Sequence, residues 1–112
     1  MTKEPMQKHE QSEILAITAQ ELMAQGEEAE AKRLYKQAAE LEEIAVNGFG
    51  PDEARTLASL GLSTAALYFK AGDYNKAGEI AKRLLSIPEV QEQEDYYLIQ
   101  LEKIVTITRN KT

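Results

Sequence analysis

From Ser12 onward, apolar side chains return every three or four positions, the spacing that lines them up on one face of an α-helix. Ile14, Leu15, Thr18, Ala19, Leu22 and Met23 form the first stripe. Gly26 stops it, so a helix is predicted from about Ser12 to Gln25. A second, from about Glu28 to Val46, puts Ala31, Leu34, Tyr35, Ala38, Leu41 and Ala45 on one face and ends at Asn47-Gly48. Pro51 with Asp52 and Glu53 opens a third, because proline presets φ and acidic charge suits the positive end of a helix. It runs to about Lys70, with Leu57, Leu60, Gly61, Thr64, Ala65, Leu67 and Tyr68 inward. Gly72 as a left-handed residue and Asp73 as N-cap lead to a fourth, about Tyr74 to Ser86, which buries Ala77, Ile80, Ala81, Leu84 and Leu85. Beyond Pro88 a fifth helix, about Glu89 to Thr108, is apolar over a wide arc. Its main face is Val90, Tyr97, Leu98, Leu101, Ile104 and Val105, and Tyr96, Ile99 and Ile107 fall outside it. The pattern predicts an all-α fold of about five helices in antiparallel hairpins. Residues 1–11, which carry Pro5 and lack periodicity, read as a flexible tail, and 109–112 as another around a single domain at 12–108.

The pattern also repeats. Thr18-Ala19, Gly26 and Ala31 return as Thr64-Ala65, Gly72 and Ala77, each 46 residues later. Small residues at fixed distances on either side of a glycine are what two helices need to turn back and approach closely, so the chain reads as a helical hairpin used twice. The hairpins would span about 12–47 and 51–86.

This spacing resembles the tetratricopeptide repeat. That family places a small residue seven before the interhelix glycine, a large one four before, and small or aromatic residues five, nine and twelve after. Ala19, Leu22, Ala31, Tyr35 and Ala38 hold those places around Gly26, and Ala65, Tyr68, Ala77, Ala81 and Leu84 hold them around Gly72. Gly72-Asp73-Tyr74 and Pro88 fit the family's start and end of the second helix. The 46-residue spacing exceeds the usual 34 and is similar to the extended repeats of kinesin light chains, although Thr18 and Thr64 stand where leucine is usual. The resemblance implies a right-handed stack whose groove is lined by the exposed side of each hairpin's first helix. Carried over by position, those residues are Ala16, Gln20 and Met23 in the first repeat and Leu62, Ala66, Phe69 and Lys70 in the second. Only Lys70 could grip a carboxylate, so an apolar peptide or helix is the expected partner. A microtubule-interacting and trafficking domain is a weaker resemblance, since that family has no second hairpin.

Composition narrows the chemistry. With 19 acidic against 13 basic residues and a net charge of -6, a nucleic-acid partner is disfavoured. Cysteine is absent and His9 is the sole histidine, so neither a thiol site nor a histidine pair, triad or metal cluster can be assembled within one chain. Gly48-Phe49-Gly50-Pro51 is no phosphate loop, because no strand leads into it and Pro51 removes a donor. No catalysis and no cofactor are expected. The polar start of the chain and the lack of a long apolar run suggest a cytoplasmic protein with no membrane partner. The expected function is protein-protein interaction, as an adaptor. The alternative is a homodimer that buries Tyr96, Ile99 and Ile107 of the last helix.

Overall fold

A computed structural model describes residues 3–111. Met1, Thr2 and Thr112, the outermost parts of the two expected tails, lie outside the described residues. Six α-helices occur among those described: α1 (Lys3–Ala24), α2 (Glu28–Val46), α3 (Ala54–Lys70), α4 (Tyr74–Leu85), a single turn α5 (Pro88–Gln91) and α6 (Asp95–Arg109). No strand is present among the described residues, and the fold is all-α. A 3-10 turn at Pro51–Glu53 leads into α3.

Each helix packs on its neighbours in the chain: α1 on α2, α2 on α3, α3 on α4, and α6 on both α4 and α3. The result is a slab of 40 × 36 × 19 Å, two helices thick, with α1, α3 and α6 in one layer and α2 and α4 in the other. Among the described residues no helix is long and apolar enough to cross a membrane.

The two predicted elbows are the places where the described backbone takes a positive φ. Gly26 and Gly72 have φ of +83° and +85°, the left-handed region that a side chain strains. At each, the glycine N–H donates three residues back and the next N–H five back: Gly26 to Met23 and Glu27 to Leu22, then Gly72 to Phe69 and Asp73 to Tyr68. That is the Schellman pattern, which satisfies carbonyls a helix end leaves unpaired. Asp73 then caps α4 by accepting from the Lys76 N–H at 3.2 Å. Glu27 makes no such bond.

Ala19, Ala38, Ala39, Ala58, Ala65, Ala77 and Ala81 are all fully buried, so the helices meet across small side chains and the larger Ile80, Leu84, Val90 and Leu101 fill the remaining space. At Gly61 α4 packs directly on the backbone of α3, where an added Cβ would overlap the Leu84 side chain. Thr64, in a place where the repeat usually has leucine, is fully buried and satisfied by donating to the Leu60 carbonyl at 2.8 Å. Three helices are tied by one polar cluster, in which the Tyr68 hydroxyl donates to Glu43 at 2.6 Å and Lys76 pairs with the same carboxylate at 3.3 Å.

Three expectations are corrected. The region read as a tail over 1–11 is helical from Lys3, because Met6 to Glu13 are nearly all good helix formers and two of their side chains reach α2. The inner stripe of α1 is rotated: Ser12 and Ala19 are buried, whereas Ile14 is 65% exposed, Met23 is 38% exposed, and Thr18 faces solvent while donating to Ile14. Close packing on the alanines of α2 favours the smaller residues. The fifth helix is interrupted between Gln91 and Asp95, where Glu94 takes an extended conformation and Val90 is buried beneath the turn.

Candidate interaction groove

α3 presents Leu62, Ala66, Phe69 and Lys70 along one side, and α6 runs beside it in the same direction. Between them lies a cleft of about 280 Å³, completed on the α6 side by Tyr96, Gln100, Ile104 and Ile107. Leu62, Ala66, Phe69 and Ile104 are half-buried, and Lys70 is exposed. Phe69 is held edge-on against Tyr74 with ring centroids 5.1 Å apart, and Lys111 lies over that Tyr74 ring at 5.2 Å. Lys70 lies over the Tyr35 ring at 5.7 Å, a contact that fixes where its charge sits at the groove edge. It is the only charged residue in the lining.

All four second-repeat positions carried over from the sequence are therefore brought together. The first-repeat positions are not. Ala16 is half-buried, Gln20 is exposed, and neither they nor Met23 line this cleft. The reason is register: α1 reaches the α3 wall at Met6, beside Arg55 to Leu60, about one to two turns nearer its start than a 46-residue offset assumes. Of the residues expected outside the main stripe of the last helix, Tyr96 and Ile107 are in the groove wall, and Ile99 stands exposed on the same helix. The two sequence-derived surfaces thus share one face.

A second cleft of about 310 Å³ lies along the same α3/α6 seam, lined by Met6 of α1, by Arg55, Thr56, Ser59 and Leu60 of α3, and by Tyr97 of α6. Tyr96 and Tyr97 stack edge to face at 5.6 Å, so one ring of the pair faces each cleft. A further cleft, about 440 Å³ between α4 and α6, mixes Glu79 with Lys82 and Arg109 and offers no single chemistry.

His9 and Glu42 are the residues that sequence reasoning missed. Glu42 is 1% exposed on α2, and both its oxygens lie within hydrogen-bond distance of His9 Nδ1, at 2.8 and 3.0 Å. Burial pushes the Glu42 carboxyl up, opposed by the hydrogen bond and charge of His9 and by the Ser63 hydroxyl, while nearby Glu13 adds to the rise. One turn further on, Ser12 donates to the Ala38 carbonyl at 2.8 Å. The signal available beforehand was the unbroken run of helix formers around His9. Among the described residues no cluster of three His, Cys, Asp or Glu is placed to hold a metal.

Against known proteins, no family model, no curated protein and no solved structure matches this chain.

Proposed function

We propose that the chain is a non-catalytic interaction module, built like two extended tetratricopeptide-like hairpins and working as an adaptor in the cytoplasm. It holds a short apolar peptide, or one face of an amphipathic helix, along α3 and α6. The observation that supports this is the apolar wall of Leu62, Ala66 and Phe69 facing Tyr96, Ile104 and Ile107 across an open cleft, with a single charge at its edge. A cleft of 280 Å³ takes two or three side chains rather than a whole helix, so the ligand would be read through anchors three or four residues apart. Phe69→Glu places a charge in the middle of this wall. It is expected to abolish capture of the partner from a lysate while circular dichroism stays unchanged, and undiminished capture would remove the proposal.

A second use of the same face is supported by its exposure. Tyr96, Ile99 and Ile107 are 61%, 49% and 43% exposed, enough apolar surface on one helix to seed a two-fold contact. Such a homodimer would close the groove, so the two uses exclude each other. Sedimentation separates them, because a monomer at micromolar concentration leaves the groove open and rules out the dimer.

A further inference from the structure

Nothing about a helical hairpin requires a carboxylate in its interior, and burying one is costly unless it is compensated. The Glu42 carboxyl is nevertheless buried, and the group facing it is the His9 imidazole, 22% exposed, with Nε2 3.5 Å from the exposed Glu13. The groups facing Glu42 are thus His9 and Glu13 from α1 and the uncharged Ser63 hydroxyl from α3. His9 and Glu42 together carry no net charge only while they hold one proton more than their fully deprotonated state. Removing that proton leaves an uncompensated negative charge inside the slab.

What this contact fastens is the start of α1. Ahead of His9, Pro5 rests on Gly48, where an added Cβ would lie 2.5 Å from Pro5 Cγ, and Met6 forms one wall of the second cleft on the α3/α6 seam. The Ser12 bond to Ala38 carries no titrating group and holds α1 beyond this point. The first two turns of α1 can therefore part from the body without unfolding the hairpin.

We infer that these turns, latched by His9 on Glu42, are a proton-dependent lid over one end of the α3/α6 groove. Closed, Met6 stands at the wall of the second cleft, opposite Leu60 and Tyr97. Open, the apolar seam runs past the Tyr96 and Tyr97 pair and lengthens the surface offered to a ligand. The latch stands on its own geometry, and its role as a lid rests on the groove assignment proposed above.

The experiment uses the full chain and two readouts at pH 6 and pH 8.5: amide exchange protection of residues 7–10, whose N–H groups bond within the first turns of α1, and emission of the neutral apolar dye Nile red. In the unsubstituted protein, protection should fall about tenfold between the two pH values and dye emission should rise with it. His9→Lys, whose charge persists across this range, should remain protected at both. His9→Gln should be open at both, and Gly48→Ala, which pushes Pro5 away without touching the titrating pair, should also be open at both. Equal protection at the two pH values in the unsubstituted chain, or the same decline in His9→Gln, overturns the latch. A decline in protection with unchanged dye emission overturns the lid. The groove assignment is tested separately by Phe69→Glu: dye binding that ignores this substitution removes the groove while the exchange data still decide the latch.

Discussion

The two hairpins share the Schellman bonds of their elbows and differ in much of what lies between them. The second is sealed on both sides, by α2 and by α6, and packs Gly61 against Leu84. The equivalent places in the first are Leu15 and Ala38, the large and small partners exchanged between helices, and Leu15 is only half-buried. Thr64 is fully buried, whereas Thr18 at the matching place is exposed. The first hairpin instead buries Ser12 and Glu42. A repeated turn thus dictates the path of the chain, and the side chains between turns decide whether a hairpin is a fixed wall or an adjustable one.

The sharpest way to break that contrast is truncation. Leu84→Ala should cost about 3 kcal/mol and Leu15→Ala about half of it, read from urea midpoints at constant slope. Equal costs would mean that the hairpins are equally sealed. At the elbows the expectation reverses: Gly26→Ala and Gly72→Ala should each cost about 1–2 kcal/mol, because an added Cβ meets no atom within 4 Å at either and only backbone strain remains. Unequal losses there would show that the matched hydrogen bonds hide a difference in strain. Smaller still, Asp73→Ala should lose about 1 kcal/mol with its cap, and Glu27→Ala, which breaks no cap bond, less than about 0.5 kcal/mol in the same titration.

The pH dependence separates the hairpins in a different window. Glu42 binds its proton more tightly folded than unfolded, so its contribution is fully present below the ordinary glutamate value of 4.5 and is lost as pH rises through the raised one. Glu42→Gln should flatten that slope in stability measured between pH 4 and 7. Tyr68 behaves likewise at the alkaline end. Desolvation first, then its bond to Glu43, raises its pKa, so stability declines as pH climbs above the ordinary tyrosine value of 10, a decline that Tyr68→Phe should remove.

Most of the path was legible in the sequence because its punctuation is chemically strong. Gly26, Gly72, Asp73 and Pro51 each act locally, and α2 has the predicted bounds, Glu28–Val46. What escaped depends on contacts between distant residues. The start of α1 is stabilised by partners 33 and 26 positions away, for His9 and Ser12 respectively, which no local pattern announces. The break before Asp95 falls at Glu92-Gln93-Glu94, with neither glycine nor proline to mark it, and side-chain bonds from Gln91 to the Leu85 carbonyl and from Gln93 to the Glu89 carbonyl hold the turn. The groove was half legible for the same reason: the α3 wall follows from helical spacing, but its companion α6 wall depends on where that turn sends the chain.

One consequence follows from the order in which the helices pack. Every large interface joins an element to the one beside it in the chain, or, for α6, skips only a single turn. Little loop entropy has to be lost before native contacts form, so folding should be fast, within about microseconds to milliseconds, as for other architectures of low contact order. Assembly can then begin at either elbow and spread outward, leaving little time for the apolar face of α6 to meet other chains before its own groove has formed.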